Sequence, residues 1–259
     1  MAQAQMGQDA LSALGTPGVR YPAQNQMGLA IALLIGCMVL AGVFFAGYLD
    51  AVNDRFRDSN SETLFLVFAI GSVVAGVALM YGIGFHNRGL YVQVYSNGLA
   101  RVKGSKVEAL RWDEVRSIWQ SITHYQRYGR VVRSVYVYTL QTADGRKLKF
   151  SNEINGIAAL GQTLQTEVNK RVFPQAMLTY QAGQPVQFGA FSISKEGINY
   201  GKKFLPWSEV EGAQVQSGFV TFKKQGKWFN WANVPAGSIP NLFVFLALID
   251  NIVGLRRAR

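Results

Sequence analysis

Two long stretches without a charge constrain this chain more than any other feature. From Tyr21 to Leu49 there is no Asp, Glu, Lys, Arg or His, and the apolar part, Gly28 to Leu49, is 22 residues long. A helix of that length spans roughly 33 Å at about 1.5 Å per residue, which matches a bilayer core of about 30 Å. Thr63 to Phe85 repeats the pattern over 23 uncharged residues after a gap of 13. The two runs predict a transmembrane hairpin over residues 27–86. A buried pair of helices in a soluble protein would need a set of amphipathic helices around it, which the sequence does not offer. The first run begins late, lacks a basic leader and is too long for the apolar segment of a secretory signal, so it is expected to be an uncleaved anchor.

Charge then orients the hairpin. Residues 1–26 carry Arg20 against Asp9, and residues 50–62 carry Arg55 and Arg57 against Asp50, Asp54, Asp58 and Glu62. Residues 87–259 carry 23 basic and 10 acidic side chains, the source of the net charge of +11. Because Lys and Arg near membrane ends are retained in the cytoplasm, an integral cytoplasmic-membrane protein with both termini inside and loop 50–62 outside is expected. Residues 1–26 show no sustained periodicity and are assigned to a flexible leader. Ala32 and Gly36, Gly42 and Ala46, and Gly71 and Ala75 are small residues four apart that would let helices approach, within the hairpin or between copies. Cys37 is read as a small apolar filler.

The remaining 173 residues repeat themselves. Short alternating strands broken at Ser96–Gly98 lead to Trp112, Glu114 and Val115; strands broken at Lys195–Gly197 lead to Trp207, Glu209 and Val210. Further on, Gly145, Asn152 and Gly156 match Gly226, Asn233 and Gly237 at a constant offset of 81, and a helical pattern follows each. Trp112 to Gly145 spans 33 positions but Trp207 to Gly226 only 19, so the first half holds a longer hairpin with its turn at Tyr128 and Gly129. Val172 to Val186, with Pro174, Gly183 and Pro185, reads as a linker.

With its two-helix anchor, its paired sheet-and-helix repeats and its two Trp-x-Glu-Val segments, the chain resembles the bacterial pleckstrin-homology-like (PH-like) membrane proteins of unknown function. The resemblance implies a membrane-anchored α+β protein in which a transmembrane hairpin is followed by two PH-like domains, each a curled antiparallel sheet with a C-terminal helix. The expected divisions are a leader at 1–26, the hairpin at 27–86, a first domain at 87–173, a linker at 174–186 and a second domain at 187–259. Lipid-binding members of the wider fold place basic residues around the first hairpin, whereas here that turn, Tyr95 to Leu99, has none, and Lys195 in its counterpart is offset by Glu196.

Basic residues gather elsewhere. Arg127, Arg130 and Arg133 lie around the long hairpin tip with Tyr125 and Tyr128; Lys202 and Lys203, Lys223, Lys224 and Lys227, and Arg256, Arg257 and Arg259 form further clusters. Each Lys or Arg near an anionic leaflet is worth about 1 kcal/mol, so these are candidate contacts to anionic headgroups or a protein partner. Strand alternation in Lys227–Trp231 places Phe229 and Trp231 inward and leaves Trp228 outward. Trp112 and Trp207 are expected in the core. His86 and His124 show no Ser, Cys or Asp arrangement around them, adjacent Asp113 and Glu114 point to opposite faces, and no nucleotide-binding glycine pattern occurs. With one Cys and two His, no metal site or cofactor is expected. Charge without regularly interleaved aromatics argues against nucleic acid. The expectation is therefore a non-enzymatic docking or scaffolding module at the cytoplasmic face of the membrane. The alternative is a homo-oligomeric envelope or transport accessory assembled through its helices.

Overall fold

The computed structural model describes residues 11–53, 59–85 and 87–254. It is an α+β chain with an N-terminal helical pair, antiparallel sheets and a C-terminal helix. The described chain divides into two compact units, one comprising residues 22–91 with 102–106 and the other the remainder.

In the unit built on the helical pair, α1 (Met27–Asn53) runs against α2 (Ser59–Leu79), which continues into a π-helical turn, Met80–Phe85. Met27–Asn53 and Glu62–Phe85 are each long and apolar enough to cross a membrane. Their apolar side chains are not spent on a protein core, for Leu29, Val39, Val43, Val67 and Val74 all stand exposed around the two helices. In water such a surface would be costly at about 25 cal/mol per Å². The helices meet through Gly76, where a Cβ would come within 2.8 Å of the Cys37 Cβ, through Gly47 against Phe65, and through Phe44 stacked on Phe68 at 5.3 Å. Gly36, Gly42 and Gly71, singled out by spacing, instead face open space. Cys37 fills the room left by Gly76, as a small apolar side chain would.

The second unit contains two repeats of one plan. In the first, β1 (Pro17–Pro22), β2 (Leu90–Tyr95), β3 (Gly98–Lys103) and β4 (Lys106–Arg111) form a sheet in that order. Next come β5 (Val115–Arg127), β6 (Arg130–Thr142) and β7 (Lys147–Ser151) in a second sheet, and α3 (Ile157–Gln181). In the second, β8 (Val186–Phe188), β9 (Phe191–Ile193), β10 (Gly197–Tyr200) and β11 (Lys203–Pro206) form one sheet. The partner sheet is β12 (Val210–Gln216), β13 (Phe219–Lys224) and β14 (Asn230–Pro235), with α4 (Leu242–Val253) closing the plan.

The repeats agree bond by bond. The indole Nε1–H of Trp112 donates to the Tyr95 carbonyl and that of Trp207 to the Ser194 carbonyl. The backbone N–H of Trp112 donates to Asn97 O, and that of Trp207 to Glu196 O. A Cβ on Gly98 would stand 2.3 Å from the Leu110 carbonyl oxygen, and one on Gly197 2.3 Å from that of Leu205. No side chain fits such an approach, so each repeat needs glycine there. Trp112 is fully buried, whereas Trp207 is half-buried against a core in which Phe188, Phe191 and Phe222 surround Phe245 at 5.1–6.2 Å.

Two expectations are corrected. Of the presumed leader, residues 1–10 lie outside the described residues, but Pro17–Pro22 is β1, the outer strand of the first repeat. Leu14, 1% exposed, and Tyr21 fill the first repeat's core, and Asn97 N–H and Ser96 N–H donate to Leu14 O and Thr16 O. The strand thereby covers what would be an open edge of β2. Consequently the helical pair is inserted between the first two strands of a repeat, where the second repeat has only the turn Gly189–Ala190 between paired Phe188 and Phe191.

The presumed linker is also structured. Helix α3 runs through Pro174, and its first half buries Leu160, Leu164 and Val168 while its second half lays Val172, Phe173, Ala176 and Tyr180 on the second repeat's core. Pro174 removes one backbone donor, a loss that packing on both cores offsets. The helix stops at Gly183, with φ +78°, whose N–H donates to Tyr180 O.

Candidate functional site

The sheet β5–β6–β7 is unequal. Strand β7 pairs with β6 only from Val137 to Gln141, yet β5 and β6 stay paired out to Arg127 and Arg130. Residues 121–134 therefore form a two-stranded ribbon that leaves the sheet behind, and every residue from Ser121 to Arg133 is exposed. The tip is a two-residue turn with φ +51° at Tyr128 and +74° at Gly129, the type I′ geometry that matches strand twist. The counterpart in the second repeat turns at Ser217 and Gly218 with the same signs, but closes at once.

Register decides which side chains the ribbon brings together. Tyr125 pairs with Arg133 and Arg127 with Arg130, and a bulge between Tyr125 and Gln126 leaves Val132 as the extra residue. Because cross-strand partners share a face, Tyr125, Arg127, Arg130 and Arg133 all project from one side. On a regular strand Arg130 and Arg133, three apart, would point to opposite faces; the bulge aligns them. No Asp or Glu occurs between Val115 and Thr142, and no ion pair engages these three arginines among the described residues. Tyr128 is 92% exposed, with the Arg127 guanidinium 5.5 Å from its ring centroid. Three uncompensated cations and two tyrosines thus form a surface suited to an anionic partner.

The opposite face carries His124, whose Nδ1 lies 2.8 Å from the Ser134 hydroxyl. That pairing corrects the expectation that no serine approaches His124; it is a cross-strand contact between residues ten apart in sequence, and the ribbon supplies no carboxylate to orient the ring. Asp113, Glu114, Asp144, Glu153, Glu167 and Glu209 are tied into surface ion pairs. Asp144 is pushed down to about 2 by the Thr142 hydroxyl and then by Arg146, and Asp113 is lowered by its bond from Arg111.

The other basic clusters fare differently. Lys202 and Lys203 are exposed at the β10–β11 turn, while Lys223, Lys224 and Lys227 belong to the end of β13 and the loop after it, on the other sheet. Lys224 is neutralised by an ion pair with Glu209. In that loop Trp228 is 94% exposed, and Phe229, expected inward, is exposed too, because β14 begins only at Asn230 and strand alternation does not reach either residue. The two rings meet edge to face at 6.1 Å beside Lys227, forming an aromatic pair rather than a core contact. Trp231 does pack inward, on Phe222 at 6.2 Å. Arg256, Arg257, Arg259 and His86 lie outside the described residues.

The repeats also share a contact that sequence reasoning missed. Asn241, at the start of α4 with φ +50°, turns its side chain away from the helix it precedes and onto β5. Its Oδ1 accepts the Ile118 N–H at 3.0 Å, its Nδ2 donates to Arg116 O at 3.0 Å, and its own N–H donates to Ile118 O at 2.8 Å. The only cue in the sequence was an Asn before an apolar run, which reads as an ordinary helix cap.

A family profile described as a family of unknown function, DUF6585, matches residues 1–258. The chain belongs to the DUF6585 family. No curated protein matches the chain. The DUF6585 match takes in β1, the helical pair and both repeats, so the insertion of the hairpin into the first repeat lies wholly inside the family's own span.

Proposed function

We propose that the chain is a non-enzymatic docking module anchored in the cytoplasmic membrane by its helical hairpin, with two PH-like repeats on the cytoplasmic side and the arginine face of the β5–β6 ribbon resting on anionic headgroups. The observation that carries the reading is the alignment of Arg127, Arg130 and Arg133 on one exposed face with no acidic neighbour in their sheet strands. Uncovered apolar side chains around both helices support the anchor, and the pairing of a four-stranded with a three-stranded sheet and a helix in each repeat supports the PH-like reading. Orientation follows from the basic excess after residue 86. Tyr125, Tyr128 and the Trp228–Phe229 pair are of the residue types that settle at headgroup level.

Three arginines at about 1 kcal/mol each hold the ribbon on an anionic surface by about 3 kcal/mol, roughly a hundredfold in the docked-to-undocked ratio. The test uses the full chain in vesicles, carrying Cys37→Ala and Tyr128→Cys with an environment-sensitive label. In anionic vesicles, headgroup-level quenchers quench the label, and high salt relieves the quenching. The combined Arg127→Gln, Arg130→Gln and Arg133→Gln variant abolishes it. Equal quenching in neutral vesicles, or indifference to the three substitutions, rejects the reading.

A second reading, a homo-oligomer assembled through the helices, draws on Gly36, Gly42 and Gly71 facing open space rather than the hairpin's own interface. If copies meet there, Gly36→Leu with Gly71→Leu removes a discrete crosslinked species in membranes while leaving the chain membrane-bound. An unchanged crosslinking ladder discards that assembly.

A further inference from the structure

We propose that the root of the helical hairpin holds the headgroup of one anionic phospholipid that also carries a hydroxyl donor, between Asn87 and Arg88. This rests on the membrane-spanning reading of the two helices. Where the chain enters α1 and leaves the π-helical turn there is a cleft of about 460 Å³, lined by residues 22–27, 83–85 and 87–90. That space is large enough for a small ligand.

The groups around the cleft specify the ligand's chemistry. The Asn87 Oδ1 is shut off from solvent and has no hydrogen-bond partner among the described residues. A buried carbonyl oxygen left in that state is costly, so it calls for a donor from the occupant. Beside it the exposed Arg88 guanidinium stands 5.3 Å from the Phe85 ring centroid, with no acidic partner among the described residues. The β3–β4 turn reaches the same place: its Gly104 N lies 3.6 Å from where a Cβ on Gly89 would be, and the exposed Lys103 precedes it. The occupant therefore has an anion for Arg88 and a hydrogen to give Asn87. Exposed Tyr81, stacked on Phe85 at 5.9 Å, offers an apolar track for an acyl chain. A phosphodiester bearing a glycerol headgroup meets all these demands. A choline headgroup has the phosphate but no donor hydrogen.

The test is native mass spectrometry and thermal shift on the purified full chain, with phosphatidylglycerol, phosphatidylcholine and soluble glycerol 3-phosphate as probes. Phosphatidylglycerol is retained and raises the melting temperature, phosphatidylcholine binds at least tenfold more weakly, and glycerol 3-phosphate gives no shift. Asn87→Leu, which removes the orphaned oxygen, and Arg88→Gln, at an exposed position, each lose retention tenfold or more while melting normally without lipid. The site is overturned if either variant keeps wild-type retention, if choline and glycerol lipids bind alike, if Asn87→Leu melts early without lipid, or if glycerol 3-phosphate shifts the protein as much as the lipid. Carbonate extraction separates the two layers of the argument: a chain that stays in the membrane yet shows no preference loses only the headgroup site, whereas one that is extracted loses the anchor as well.

Discussion

Replacing residues 24–89 with the dipeptide Asn-Gly yields a water-soluble, folded chain, whereas a fragment beginning at residue 87 does not fold. The ends of the excised segment already touch, since the Ala23 N–H donates to the Leu90 carbonyl at 2.9 Å. A two-residue turn spans such a pair, and Asn-Gly supplies the positive φ values that it needs. The second repeat makes the same connection with Gly189 and Ala190, Gly189 having φ +65°. Excision removes the exposed apolar side chains of both helices and keeps β1. The fragment, in contrast, forfeits Leu14 and Tyr21, each worth about 1.5–3 kcal/mol of burial, together with the backbone bonds to Ser96 and Asn97. A loss near 5 kcal/mol rivals the whole stability of an ordinary domain, about 5–15 kcal/mol. Size-exclusion chromatography and circular dichroism of the two proteins check this. An excised chain that pellets, or a fragment that melts as cooperatively as the excised chain, refutes the placement of β1.

What was legible in the sequence was local or repeated. The helical pair announced itself because a bilayer-length run without charge has few other uses. The repeats were visible through Trp112 and Trp207, whose indoles bind corresponding carbonyls, and through Gly98 and Gly197, which admit corresponding oxygens. The remainder depended on partners distant in sequence. Thr16 pairs with Ser96 across the whole hairpin, so nothing near Pro17–Pro22 marks it as a strand. Pro174 and Gly183 looked like linker punctuation, but burial of Phe173 and Ala176 on the second core carries the helix past the proline. Of the candidate site, the residues of the ribbon were legible and their common face was not, because one bulged residue, Val132, reverses the alternation between Arg130 and Arg133.

Asn241→Gly is expected to cost about 2–4 kcal/mol and to loosen the two repeats from one another. Asn241 is 7% exposed and its side chain stands in for a neighbouring strand, accepting from Ile118 and donating to Arg116 on β5. Removing it leaves a backbone N–H and a carbonyl without these partners, at about 1–3 kcal/mol for each one that stays buried. Glycine keeps the left-handed backbone at φ +50°, so the loss reports the two side-chain bonds and not strain. Asn241→Ala adds the cost of that conformation, about 1–2 kcal/mol, and should melt lower still. Asn241→Asp separates the two bonds: a carboxylate still accepts from Ile118 but confronts the Arg116 carbonyl with a second acceptor, so it should fall below wild type as well. At about 2–4 °C per kcal/mol for a domain of this size, the glycine variant melts on the order of 5–15 °C lower. Limited proteolysis should then cut more readily between the repeats. Because α3 also joins them, cleavage is expected first at Gly183–Pro185, just past its last turn. Melting within 2 °C of wild type for both the glycine and the aspartate variants would mean that Asn241 merely fills space, leaving α3 alone to couple the repeats.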